Sequence, residues 1–256
     1  MSGSQDFGAA VNAKEKKKEQ KPRSEDSDAG TADLIRELGL AAPGTDFESD
    51  LQYISIIGSI EGHIALPMEN KTTKYEHLIP QLIAVEENPK LRGLLVILNT
   101  MGGDVEAGLA LAEMIATLSK PTVSLVLGGG HSIGIPLATA TDYSFIAGTA
   151  TMTLHPIRTT GLVITAETTF DYMRKTQDRV IDFIAGHSRA TRKRVTELMN
   201  CSDNMSNDVG TILFGKEAVD AGIIDAVGGV SQALGELRRR VAKVDELEKE
   251  ISISTD

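Results

Sequence analysis

The chain has 256 residues, 41% of them hydrophobic but only 4% aromatic, and a formal charge of −10. That length suits one sizeable domain with tails, and the acidity argues against nucleic acid, which needs a basic face. Cys201 is the single cysteine. This excludes an internal disulfide and a thiolate zinc site, and suits a reducing, cytoplasmic setting. No apolar run reaches the roughly 18 residues of a membrane span, and no apolar stretch near the N-terminus reads as a secretory signal, so stable membrane insertion is not expected.

Residues 1 to about 30 are polar and charged, with a basic run at 14–23 and little apolar beyond Phe7 and Val11. They read as a disordered arm, extending to about residue 46, with a short helix at 32–40. The folded domain is expected over 47–230. Within it, 53–57 reads as a strand, 73–86 as a helix carrying Leu78, Ile79, Leu82 and Ile83 on one face, and 94–98 as a buried strand. A helix at 105–118, a strand at 122–127, a helix at 132–140 and a strand at 143–146 follow. This alternation predicts an α/β fold with a mostly parallel sheet. A long amphipathic helix is expected at 165–185, with Phe170, Met173, Val180, Ile181 and Ile184 on its apolar face. Shorter helices follow at 190–199 and 216–221, and a charged helical tail at 231–256.

Three segments fall on strand ends, where α/β sheets bind ligands. The first is Asn99-Thr100-Met101-Gly102-Gly103-Asp104. Its glycine pair lets backbone approach a ligand closely and offers bare N–H groups, though an ordinary turn has the same composition. The second, Gly130-His131-Ser132-Ile133-Gly134, follows Gly128-Gly129. It fits Gly-x-Ser-x-Gly, in which a serine sits on a sharp strand-to-helix turn as a nucleophile; a serine N-cap on a glycine-rich turn is the alternative. The third is Thr153-Leu154-His155-Pro156. Pro156 biases His155 toward extended backbone, where its imidazole is able to take the Ser132 proton that a neutral hydroxyl must lose to attack.

The order of these motifs resembles the Clp-type serine peptidases (ClpP), over about residues 53–227. Such enzymes carry Ser-Pro-Gly-Gly, then Gly-x-Ala-Ser-Met-Gly, then Met-Ile-His-Gln-Pro, and a later Glu-Ala-x-x-x-Gly-Leu-x-Asp similar to Glu217-Ala218-Val219 through Asp225 here. Within the family the chain is most similar to the translocation-enhancing group (TepA) of spore-forming bacteria. The resemblance implies a ClpP/crotonase-like spiral of strand–helix units with a protruding handle helix at 165–185. It also implies Ser132 as nucleophile, His155 as base, the Gly103 and Ile133 amides as oxyanion hole, and a homo-oligomer of stacked rings acting on peptides or unfolded chains. Residues 159–165 would hold extended substrate. No cofactor and no metal are implied.

Thr100-Met101 replaces Ser-Pro, and His131 replaces a small residue, as a pocket group or a rival base. The family's triad aspartate, counted back without gaps from the Glu-Ala segment, falls on Gly210; Asp208 is the nearest candidate and Asp203 the next. No segment matches the one that engages an unfoldase, which leaves an ATPase partner open. Two other readings stand beside the peptidase: a catalytically degenerate scaffold of the same fold, and a crotonase-type acyl-CoA enzyme, which would need no Ser–His couple.

Overall fold

The computed structural model describes residues 49–158, 165–202 and 209–254, with side chains through Ile251. The N-terminal arm, the short helix at 32–40, the segment 159–164, Asp203 and Asp208 lie outside the described residues.

The sheet is built from β1 (Leu51–Glu61), β2 (Thr72–Lys74), β3 (Gly93–Gly103), β4 (Thr122–Gly130), β5 (Tyr143–Ile146) and β8 (Ala226–Val227), in the order β2-β1-β3-β4-β5-β8 with every pairing parallel. Parallel neighbours require crossovers. Helices α1 (Tyr75–Glu87), α2 (Val105–Ala116) and α3 (Gly134–Thr139) lead into β3, β4 and β5. The pair β6 (Thr151–Leu154) and β7 (Thr211–Phe214) is antiparallel and branches from β4 where Gly129 meets Thr151. Helices α4 (Ala166–Gly186), α5 (Arg192–Met199) and α6 (Gly215–Asp220) lie between β6 and β8, and α7 (Val230–Ser254) closes the chain.

Successive strand side chains point to opposite faces, and here both faces are covered. Ile54, Ile56, Leu94, Val96, Leu98 and Val126 enter a large core with α1, α2, α3 and α4. Leu51, Leu95, Val123, Leu125 and Phe145 meet Ala233, Leu237 and Val241 of α7. This double burial is why Leu94-Leu95-Val96-Ile97-Leu98 reads as an unbroken apolar run. The first three turns of α7 are therefore part of the folded domain, although their composition reads as a charged tail.

The long helix α4 buries Thr176, Val180, Ile181, Phe183 and Ile184, all in its C-terminal half. In its first half, Phe170 and Tyr172 are 67% and 62% exposed, as a handle projecting from the domain would be.

Candidate active site

Both glycine-bearing segments continue as strand, past the points where their composition suggests a loop. β3 runs to Gly103 against β1, pairing Ser59 with Gly102 and Ile60 with Gly103, and Thr100 pairs with Gly130 of β4. Close backbone approach explains the glycines. A Cβ on Gly103 would lie 2.2 Å from the Ile60 carbonyl oxygen. A Cβ on Gly102, at φ +90°, would lie 2.7 Å from the Ser132 Cβ and 2.9 Å from the His131 carbonyl oxygen. Gly102 thus lies directly against the Ser132 turn.

Thr100, 1% exposed, ties these strands together. Its hydroxyl donates to the Gly58 carbonyl (2.6 Å) and accepts from the Gly102 N–H (3.0 Å), and its carbonyl accepts from the His131 N–H (3.1 Å). Asn99 accepts the Gly129 N–H through Oδ1 at 3.0 Å. Neither role is visible in the sequence, because a buried threonine or an exposed asparagine that bonds a neighbouring strand has no periodic signature.

Ser132 has φ +55°, the one non-glycine residue with positive φ among the described residues. This left-handed conformation costs an L-residue about 1–2 kcal/mol. Bonds on each side hold it: Ser132 N–H to the Thr153 carbonyl (2.9 Å), Gly134 N–H to the His131 carbonyl (2.9 Å) and Ile135 N–H to the Ser132 carbonyl (3.0 Å). The serine is not an N-cap. The helix begins at Gly134, two residues later than 132–140 would place it, and Ile133 stands at the cap with no side-chain bond. Among the described residues the Ile133 N–H has no acceptor, although its four neighbours in 131–135 all have one. The Asp104 N–H is taken by the Ile60 carbonyl at 2.9 Å. In extended backbone the preceding N–H, that of Gly103, then faces the opposite edge, where Gly102 abuts Ser132.

β6 brings histidine to this edge. Thr153, whose carbonyl receives the Ser132 N–H, precedes His155 by two residues and so shares its face of the strand. The Thr153 hydroxyl also bonds His131 Nδ1 at 2.9 Å. Burial pushes the His131 pKa down, and the neighbouring His155 adds to this by charge repulsion. His155 Nδ1 lies 2.7 Å from the Pro156 carbonyl oxygen. A carbonyl only accepts, so Nδ1 carries the proton and Nε2 is the basic nitrogen.

Gly210, at φ +141°, packs against this histidine; a Cβ there would lie 3.0 Å from the His155 Cβ and 2.3 Å from the Leu154 carbonyl oxygen. The described residues contain no group of three or more His, Cys, Asp or Glu side chains able to hold a metal, and no helix among them is long and apolar enough to cross a membrane.

Comparison with known proteins matches this arrangement to one family. The family model described as Clp protease matches residues 49–231, which span the sheet, the serine turn, the histidine strand and the long helix. The translocation-enhancing protein TepA of Halalkalibacterium halodurans is 53% identical over 222 residues, covering 87% of each chain. With a match over most of the folded domain and a relative of that similarity, the chain belongs to the Clp protease family.

Proposed function

We propose that the protein is a serine endopeptidase that hydrolyses peptides or unfolded chains through an acyl-enzyme. The observation that carries this reading is Ser132 at φ +55° between β4 and α3, followed by an Ile133 N–H bonded to no described residue. Strained backbone persists where the surroundings over-determine it, and such strain clusters at active sites. An uncommitted amide beside the hydroxyl suits a developing oxyanion. His155 Nε2 takes the Ser132 proton as Oγ attacks the substrate carbonyl, the Gly103 and Ile133 amides receive the oxyanion, and the proton passes to the leaving amine. Water then attacks the acyl-serine by the reverse path. Among carboxylates the sequence offers Asp208, then Asp203, as a third member, and labelling of their asparagine variants decides whether the site uses one or works as a Ser–His dyad.

Family membership favours a homo-oligomer of stacked rings, with α4 as the contact through which rings meet, and the single cysteine suits the cytoplasm. The deciding experiment is intact-mass analysis after incubation with a fluorophosphonate. One adduct is expected on the wild type, none on Ser132→Ala, and slow formation on His155→Ala.

A second reading is a scaffold of the same fold that assists translocation without hydrolysis. It is favoured by Gly210, which lies against His155 with no room for a side chain, and by the similarity to a protein named for enhancing translocation. It predicts an intact oligomer that takes no adduct.

A further inference from the structure

We infer that the backbone carbonyl of Pro156, rather than a carboxylate, holds the base of this site in its working tautomer. This rests on the peptidase reading and deepens it. The Nδ1–H of His155 is engaged by the Pro156 oxygen at 2.7 Å. Both halves of this contact come from the dipeptide His155-Pro156. The proline ring restricts His155 to extended backbone, which fixes where the imidazole leaves the strand. The carbonyl of the same proline then meets Nδ1 and leaves Nε2 deprotonated.

The backbone packed against the histidine gives the complementary observation. The ungapped family position of the triad aspartate is Gly210, and there the backbone runs so close that a Cβ would sit 3.0 Å from the His155 Cβ and 3.1 Å from its Cα. The third contact, the Leu154 oxygen at 2.3 Å, is main chain and unable to swing aside. With φ at +141°, the residue is also in a conformation that L side chains rarely adopt. No carboxylate is able to approach the ring from position 210.

During reaction the Ser132 proton moves to Nε2 while Nδ1 keeps its own proton, donated in a hydrogen bond to the Pro156 carbonyl. The imidazolium returns its Nε2 proton to the leaving amine, so the ring ends as it began. A carbonyl orients the ring through its dipole but lacks the full negative charge with which a carboxylate steadies the imidazolium. The arrangement therefore predicts a slow but specific nucleophile.

The test pairs a spectroscopic signature with labelling. Two-bond proton–nitrogen correlation spectra of the full chain carrying nitrogen-15 histidine identify each tautomer, with His155 assigned by the signal lost in His155→Gln. The expected result is His155 in the Nδ1–H form, both in the wild type and in the double variant Asp203→Asn/Asp208→Asn. Fluorophosphonate labelling of that variant should stay within about threefold of wild type, where an aspartate-dependent triad would lose roughly ten-thousandfold. An Nε2–H ring in the wild type overturns the inference, as does a loss of labelling beyond about a hundredfold in the double variant. A wild type that never labels while His155 keeps the Nδ1–H form refutes the peptidase reading and leaves the positioning by Pro156 standing.

Discussion

Arg179, in the second half of α4, grips Glu106, in the first turn of α2, through two parallel contacts: NH1 to Oε1 at 2.7 Å and NH2 to Oε2 at 3.1 Å. Asp104, which caps α2 by accepting the Ala107 N–H at 2.8 Å, directly follows Gly102-Gly103. The pair therefore links the long helix to the helix that begins where the serine-contacting strand ends.

Both side chains are about half exposed, so solvent screening limits the pair to below about 1 kcal/mol. The Arg179 hydrogen bond is the main cause holding the Glu106 carboxyl below its ordinary 4.5. A depressed carboxylate stabilises the fold fully above the unfolded value and loses that contribution as pH falls through the lower folded value. Arg179→Ala should therefore lower the urea midpoint slightly at pH 7, and wild type and variant should converge in acid below the folded value. A gap that persists there would mean the arginine acts by packing.

The glycine contacts predict a sharp contrast between two substitutions of the same kind. Gly102→Ala places a methyl 2.7 Å from the Ser132 Cβ at φ +90°, costing about 1–3 kcal/mol of backbone strain and displacing the nucleophile. Labelling of Ser132 should fall by about a hundredfold, the scale on which a 1 Å misplacement acts. Gly235→Ala, in α7 with nothing within 4 Å, should instead raise stability by about 0.5–1 kcal/mol by improving helix propensity, with labelling unchanged. Equal labelling in the two variants would contradict the contact between Gly102 and the serine turn.

Thr100 offers a third handle. Thr100→Val keeps the shape but strips the hydroxyl that joins the Gly58 carbonyl to the Gly102 N–H. The buried Gly102 N–H loses its partner, at about 1–3 kcal/mol, and the part-buried Gly58 carbonyl loses one of its own at a smaller cost. Thermal unfolding should show the loss, and slower labelling should accompany it. An unchanged midpoint would mean that water or a shifted backbone replaces both bonds.

The strand–helix alternation was legible because buried parallel strands are apolar runs and the helices between them show one apolar face. The sheet's ends were not. Residues 99–103 and 128–130 have the composition of loops, yet lie extended because neighbouring strands supply partners, as Thr100 does for Gly130. β2, β7 and β8, of 3, 4 and 2 residues, are too short to show a period. The Ser132 and His155 motifs were visible from local spacing. The Pro156 carbonyl was not, since every residue carries such a group and only coordinates distinguish the one that meets Nδ1. The charge of α7 hid its role: Ala233 and Leu237 are fully buried among charged neighbours. Leu237→Ala should accordingly cost about 2–5 kcal/mol, where a free tail would show no change in the unfolding midpoint.

His131 makes the remaining prediction. Burial is the first cause holding its pKa below 6.5, and the charge of His155 is the second. A histidine with a depressed folded value binds its proton more readily in the unfolded chain, so stability is full above the unfolded value and declines as pH falls through the folded one. The Thr153 hydroxyl at Nδ1 can donate to the neutral ring or accept from it, but gives the protonated ring no negative charge to meet. His131→Gln removes the titration while keeping a polar group near Thr153. Denaturant midpoints should fall between pH 7 and pH 5 in the wild type, and that fall should be smaller in the variant. A fall of the same size in His131→Gln would show that other groups carry the loss of stability in acid.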